Sequence, residues 1–204
     1  MRGRVALPRF GDHRRQRIGL LGGSFNPAHE GHRHIALVAL HRLRLDQVWL
    51  LVSPGNPLKG QDGMAAATDR LASAGAIADG RRIIATDIER QLGTRFTADT
   101  LQMLRRRFPR ARFVWLMGAD NLRQFPRWRG WRRIARAMPF AVLPRPGYNR
   151  PALAGLAAQR LRRARHAARQ APVLAAMRPP AWSFLCAAQH PGSATALRAA
   201  RRRA

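Results

Sequence analysis

Residues 17–32 read Arg-Ile-Gly-Leu-Leu-Gly-Gly-Ser-Phe-Asn-Pro-Ala-His-Glu-Gly-His. The apolar run Arg17 to Leu21 has the density of a buried strand, and Gly22-Gly23 breaks it at once. A helical pattern follows from His29 to about Leu43, with Ile35, Leu37, Val38 and Leu40 on its apolar positions. Strand, glycine turn and helix within so few residues point to the first unit of an α/β fold. Glycines at such a turn let the backbone approach a ligand closely, and the N–H groups at the helix start favour phosphate.

Working outward, the same alternation repeats. Val48 to Val52 reads as a second buried strand, stopped by the turn formers Ser53-Pro54-Gly55-Asn56-Pro57. Residues 65–78 read as a helix, Arg82 to Thr86 as a third strand, and Thr97 to Phe108 as a helix with Thr97 as N-cap candidate. Arg112 to Met117 is the fourth strand. Short helices interrupted by Pro126 occupy 121–137, and Phe140 to Leu143 is the fifth strand. An arginine-studded helical pattern covers 152–168, Trp182 to Cys186 is a last short strand, and Ser193 to Arg203 closes as a helix. Strands that are continuous apolar runs, alternating with helices, predict a doubly wound, Rossmann-like parallel sheet with helices on both faces. Ligands of such folds bind beyond the carboxyl ends of the strands. The expected organisation is a basic N-terminal extension over 1–17 and a single domain over 18–204.

The chain of 204 residues has a net charge of +28, carried almost wholly by arginine, with Lys59 as its lysine. Such charge attracts polyanions, yet it is spread along the chain rather than gathered into a stripe. That distribution reads as compositional drift towards arginine and alanine, and no specific nucleic-acid partner is expected. Phosphate-bearing small substrates gain from the same field. Lysine offers a compact point charge where arginine offers a planar fork, so a lysine retained against the drift suits a site needing the smaller head, or survives by chance. The sequence has no apolar run long enough to cross a bilayer and no secretory pattern at its start, and Cys186 has no second cysteine to pair with. A cytoplasmic location is the expectation.

His29 and His32, three apart at a helix start, point to one side. Two imidazoles aimed at one spot can donate hydrogen bonds to phosphate oxygens and to developing negative charge. A metal pair is the rival reading, but no cluster of further ligands completes it. His34 and His41 read as ordinary helix residues, and Asp87, Glu89 and Asp99 as solvated or capping carboxylates.

Gly22-Gly23-Ser24-Phe25-Asn26-Pro27-Ala28-His29-Glu30-Gly31-His32 resembles the signature of the nucleotidyltransferase superfamily, with its His-x-Gly-His element at 29–32. Ser193-Ala194-Thr195-Ala196-Leu197-Arg198 resembles the superfamily's second element, with leucine in an isoleucine slot. The middle of the chain is similar to the nicotinate-mononucleotide branch. There Ser53-Pro54-Gly55-Asn56-Pro57-Leu58-Lys59, Asp87-Ile88-Glu89, Arg95 to Leu101, Met117-Gly118-Ala119-Asp120-Asn121, Phe125-Pro126-Arg127-Trp128 and Arg145-Pro146-Gly147-Tyr148 correspond to its segments. Leu58 departs from a common histidine, Phe96 stands in a tyrosine slot, and Arg129 stands where relatives often carry an aromatic.

The resemblance implies an adenylyltransferase that moves AMP from ATP to nicotinate mononucleotide by direct in-line attack, in NAD biosynthesis. It implies His29, His32, Lys59 and Arg198 as catalytic residues. Gly22, Gly23, Ser24, Phe25, Gly118, Asp120, Arg145, Ser193 and Thr195 would bind ATP, and Asn56, Lys59, Thr97 and Trp128 the acceptor. Mg2+ is implied as the companion of ATP, with Asp120 reaching it through water or accepting from ribose; no resident metal site is implied. Stacking on the pyridine ring and plain core packing both stay open for Trp128. Phosphopantetheine adenylyltransferases and cytidylyltransferases share the first histidine element but not the Arg-Pro-Gly-Tyr turn or the 97–101 segment. A basic nucleic-acid-binding protein would need a clustered basic face instead.

Overall fold

A computed structural model of the chain describes residues 7–55 and 63–188. Its centre is a seven-stranded sheet in the order β3-β2-β1-β4-β5-β7-β6. The strands are β1 (Arg17–Gly23), β2 (Gln47–Val52), β3 (Ile83–Thr86), β4 (Arg112–Gly118), β5 (Phe140–Leu143), β6 (Arg165–His166) and β7 (Trp182–Phe184). Every adjacent pair is parallel. The chain winds outward from β1 to β3, returns to β4 on the other edge of β1, and winds outward again. The direction reverses between β1 and β4, where a doubly wound sheet opens a crevice for ligands.

Alternate strand residues separate into two cores, one on each face. Ile18, Leu20, Trp49, Leu51, Phe113, Trp115, Phe140 and Trp182 pack with residues of α3 (Ile88–Gln91), α4 (Thr97–Arg107), α5 (Ala119–Gln124) and α6 (Trp131–Ala137). Leu21, Val48, Leu50, Val52, Val114, Leu116 and Ala141 pack with α1 (Glu30–Arg42), α2 (Ala67–Ala76) and the 3-10 turns Ala168–Ala176. Burial on both faces is why these strands read as unbroken apolar runs rather than alternating ones.

The expected strands are all present, with β1 and β4 each extending to the glycine that ends it. The last third differs. The helix expected over 152–168 is α7 (Asn149–Ala154) and α8 (Leu156–Arg160), separated by Gly155 in extended geometry (ψ 162°), and then the edge strand β6. Pairing with β7 outweighs the local helical pattern there, and the Arg165 guanidinium lies over the Trp182 ring, 5.4 Å from its centroid. Thr97 is not the cap of α4. Phe96 holds that position, Thr97 is the first helical residue, and no side chain caps the start. The last expected helix lies outside the described residues. Within the leading segment, Leu7 is buried in the first core, and Arg14 lies over the rings of Trp49 and Phe108.

Trp182 closes this end of the sheet. It is fully buried, stacks on Phe140 with centroids 5.6 Å apart and planes 6° from parallel, and donates from Nε1 to the Leu161 carbonyl at 2.9 Å. Trp182→Ala is expected to lower unfolding free energy by about 3–5 kcal/mol. Trp182→Phe, which keeps a ring but leaves the Leu161 carbonyl without its donor, should cost about 1–3 kcal/mol. Urea titrations of both variants check the order; equal losses would mean that the hydrogen bond contributes nothing.

Candidate active site

The site grows from the carboxyl ends of β1 and β4. At Gly22 an added Cβ would sit 2.5 Å from the Trp115 ring, so glycine leaves room for that ring to lie against β1 at the switch point. Beyond Gly23 the chain turns through Phe25, a buried, bulky residue held at φ 47°. A non-glycine residue in this region costs about 1–3 kcal/mol and persists only where its surroundings hold it. The Phe25 ring packs 4.9 Å from the His32 ring.

His29 is the N-cap of α1, and the two histidines cap the helix reciprocally. Gly31 N–H donates to His29 Nδ1 at 3.0 Å, and His29 N–H donates to His32 Nδ1 at 3.2 Å. This is the geometry of a capping box, with imidazoles in place of hydroxyl and carboxylate. Its consequence is chemical. A ring whose Nδ1 accepts a backbone N–H must carry its own hydrogen on Nε2 when neutral. Both rings, with centroids 3.9 Å apart, are thereby set as Nε2–H donors. Burial, the neighbouring His29 and the charge of Arg145 push the pKa of His32 down to about 3. His32 is thus a neutral donor at physiological pH.

Across the crevice, Gly118 ends β4 and Asp120 lies in the first turn of α5. A Cβ at 118 would fall 2.5 Å from Asp120 Oδ1, so glycine there makes room for the carboxylate. Asp120 Oδ2 pairs with Arg145 Nη1 at 2.7 Å, while Oδ1 is buried with no partner among the described residues. A buried carboxylate oxygen without a donor is costly, and its place at the strand end marks it for a ligand. Arg145 is itself fixed by its backbone N–H, which donates to Asn149 Oδ1 at 2.7 Å. Phe25, His29, His32, Asp120 and Arg145 therefore converge on one end of the sheet, with Gly22, Gly23 and Gly118 beneath them.

A second half lies where α4 meets the segment before α6. Arg133 bonds Asp99 at 2.8 Å, and the Arg129 guanidinium stacks over the Phe96 ring at 4.5 Å. Thr97 is half-buried at the uncapped start of α4, whose N–H groups carry the positive end of the helix dipole. Trp128 is also half-buried and packs against the core, in T-shaped contacts with Phe125 (centroids 5.5 Å apart) and Trp115 (6.3 Å). Asn56 and Lys59, and Ser193, Thr195 and Arg198, lie outside the described residues.

Several groups escaped the sequence reading. Glu89 is buried rather than solvated: its Oε1 accepts from Thr100 Oγ1 at 3.2 Å, and burial raises its pKa to about 7. Asp87 and Asp99 are paired with Arg90 and Arg133. His34, read as an ordinary helix residue, bonds the Ala188 carbonyl through Nε2 at 2.9 Å and so ties α1 to the end of the described chain. Arg70 of α2, only 2% exposed, reaches into the loops after β1 and β2. One arginine among so many carries no sequence signal of such a role. Among the described residues no three His, Cys, Asp or Glu side chains gather into a metal-binding group, and no helix is long and apolar enough to cross a membrane.

His32 gives a pH signature. Its folded-state pKa of about 3 lies below the ordinary histidine value of about 6.5, so the unfolded chain binds its proton first. Its contribution to stability is intact above about pH 6.5 and is lost progressively as pH falls towards 3. Between pH 6 and 4, His32→Asn should lose stability less steeply than the parent, by up to about 1.4 kcal/mol per pH unit. Unfolding titrations at successive pH values test this, and parallel curves would refute it.

The comparisons agree with this geometry. Residues 20–199 match the family model described as cytidylyltransferase-like. A protein of Gluconacetobacter diazotrophicus, named a probable nicotinate-nucleotide adenylyltransferase, is 62% identical over 95% of this chain and 90% of its own length. A protein of Gluconobacter oxydans with the same name is 63% identical over 89% of this chain and 93% of its own. Among solved structures, the Plasmodium falciparum nicotinic acid mononucleotide adenylyltransferase complexed with NaAD shares the fold. Its TM-score is 0.64 at 15% identity, covering 90% of this chain and 83% of that one. With the histidine cap, the Asp120–Arg145 pair and the doubly wound sheet in place, the chain belongs to the cytidylyltransferase-like family and, within it, to the nicotinate-nucleotide adenylyltransferases.

Proposed function

We propose that this site carries out the transfer as follows. The acceptor's phosphate oxygen attacks the α-phosphorus of ATP in line, the bond to the β-phosphate oxygen breaks, and pyrophosphate leaves as deamido-NAD forms. No covalent enzyme intermediate is needed, so the protein's task is positioning and charge stabilisation. The observation that carries this reading is the reciprocal histidine cap. It fixes two imidazoles side by side with Nε2–H pointing away from the backbone they cap, without reorganisation at the moment of reaction, and burial keeps His32 neutral. Negative charge arriving beside His32 opposes the burial that keeps the ring neutral, so triphosphate binding draws its pKa upward.

The remaining roles follow the same chemistry. Gly22, Gly23, Ser24 and Phe25 line the turn that meets the nucleotide. Asp120 after β4 and Arg145 after β5 face it from across the crevice, with Asp120 Oδ1 accepting from ribose or from metal-bound water. Mg2+ fits this arrangement, because it binds through one or two carboxylates plus phosphates and water, and Asp120 Oδ1 is a buried carboxylate oxygen with no partner among the described residues. The ion would neutralise phosphate charge when bound. By resemblance, Lys59, Ser193, Thr195 and Arg198 complete the polyphosphate contacts, and Asn56 contributes to the acceptor. On the acceptor side, Trp128 offers a ring for the pyridine, and the uncapped start of α4 at Thr97 offers N–H groups to its carboxylate. Arg129, held over Phe96 beside them, adds a positive charge that favours the acid over the amide. Nucleotide substrates, rather than nucleic acid or membrane, are the partners this supports, in the cytoplasm where NAD is assembled.

Pyrophosphate release from ATP and magnesium, with nicotinate or nicotinamide mononucleotide in turn, tests the assignment. The acid should be strongly preferred. His32→Ala should lower kcat about 100- to 1000-fold, the scale of losing one preorganised donor. Equal use of both acceptors would retain the reaction but remove the carboxylate pocket; an undiminished His32→Ala would remove the role of the cap. Arg129→Ala should narrow the acid-to-amide ratio of kcat/KM about 10-fold, as loss of roughly one charge-assisted contact requires, and an unchanged ratio would exclude Arg129 from selection.

A further inference from the structure

Among the described residues, Arg70 is a buried cation with no carboxylate beside it. Its donors all end on backbone carbonyls. Nε donates to Ala65 O at 3.0 Å, Nη1 to Ser24 O at 2.9 Å and to Ser53 O at 2.7 Å, and Nη2 to Pro54 O at 3.2 Å. Burial alone pushes its pKa below the usual arginine value. Desolvating a guanidinium is expensive, and neutral carbonyls return less than a carboxylate would. A stability role is filled more cheaply by an apolar side chain of similar size.

What the cluster does is join segments distant in sequence. Ser24 belongs to the turn after β1 that leads to the two histidines. Ser53 and Pro54 follow β2, and Ala65 precedes α2, so one guanidinium binds both flanks of residues 56–62. Neighbouring contacts reinforce the same seam. Asn26 Nδ2 donates to Gly63 O at 2.9 Å, Ala65 N–H donates to Asn26 Oδ1 at 3.3 Å, and Ala28 N–H donates to Ser73 Oγ at 2.9 Å. Arg70 is the member that touches all three backbone segments at once.

We propose that Arg70 is a positioning residue for the transfer. Its planar fork ties the nucleotide turn at Ser24 to Ser53 and Pro54 at the end of β2 and to Ala65 before α2, and this fixed spacing is what lines up attacking and leaving groups. The inference rests on the reading of these two loops as the ATP and acceptor loops. Displacements of about 1 Å away from the reacting atoms suffice to cost 100-fold in rate. Lysine cannot replace the fork, because its three donors radiate from one point and do not spread over four carbonyls.

The test compares the parent with Arg70→Lys and Arg70→Met by pyrophosphate release from ATP, magnesium and nicotinate mononucleotide. Assays are run at a temperature where far-ultraviolet circular dichroism shows each protein folded. At saturation with both substrates, kcat should fall about 100-fold in both variants while the folded fraction stays unchanged. If the variants melt earlier but keep the parent's kcat when folded, Arg70 is only a structural clasp and the proposal is wrong. If only one substrate's KM rises and kcat holds, the coupling of the two loops is refuted. Should Arg70→Met not be recovered folded, the kcat of Arg70→Lys decides by the same criterion. A parent that releases no pyrophosphate would instead overturn the functional reading, so the two failures are distinguishable.

Discussion

Everything in this molecule is organised by the enclosure of β1. It is hydrogen-bonded to β2 along one edge and to β4 along the other. Its side chains feed a separate core on each face. A strand enclosed on four sides can meet solvent only at its ends, and at its carboxyl end the winding direction reverses and the helices part. The tight approach at Gly22, the strained Phe25 and the cap of α1 are all consequences of leaving the sheet at that point.

Electrostatics refines the picture. The net charge of +28 supplies a diffuse attraction for polyphosphates, but most arginines are exposed and interchangeable. The few that shape the site are held by specific partners: Arg145 by Asp120 and Asn149, and Arg70 by four carbonyls. Burial first, and then His29 and Arg145 beside it, lower the pKa of His32, so the ring is neutral rather than cationic near pH 7. One Asp120 oxygen has no donor among the described residues, although the other is paired with Arg145.

The first two thirds of the fold were legible because local pattern and tertiary demand agree there. Val48 to Val52 and Phe140 to Leu143 are apolar without interruption because both faces are covered, and both form strands as expected. Agreement fails after Tyr148. Arginines at helical spacing over 160–165 suggest a helix, yet Arg165 and His166 form an edge strand because β7 offers hydrogen bonds beside them. In the site, His29 and His32 were legible from their spacing. Their tautomers were not, because those depend on which backbone N–H each Nδ1 meets. Thr97 was located correctly but misread as a cap, since hydroxyl residues are favoured at caps and the backbone geometry decides which neighbour occupies the position.

The class of fold, the family and the pairing of His29 with His32 were readable from the amino acids alone, because all three rest on residue types at short, fixed spacings. Only the tertiary structure decided which charges matter. Glu89 is indistinguishable in sequence from a surface carboxylate, and Arg70 from the other arginines, until burial and partners are known. Burial is a property of many distant residues acting together, and no local pattern encodes it.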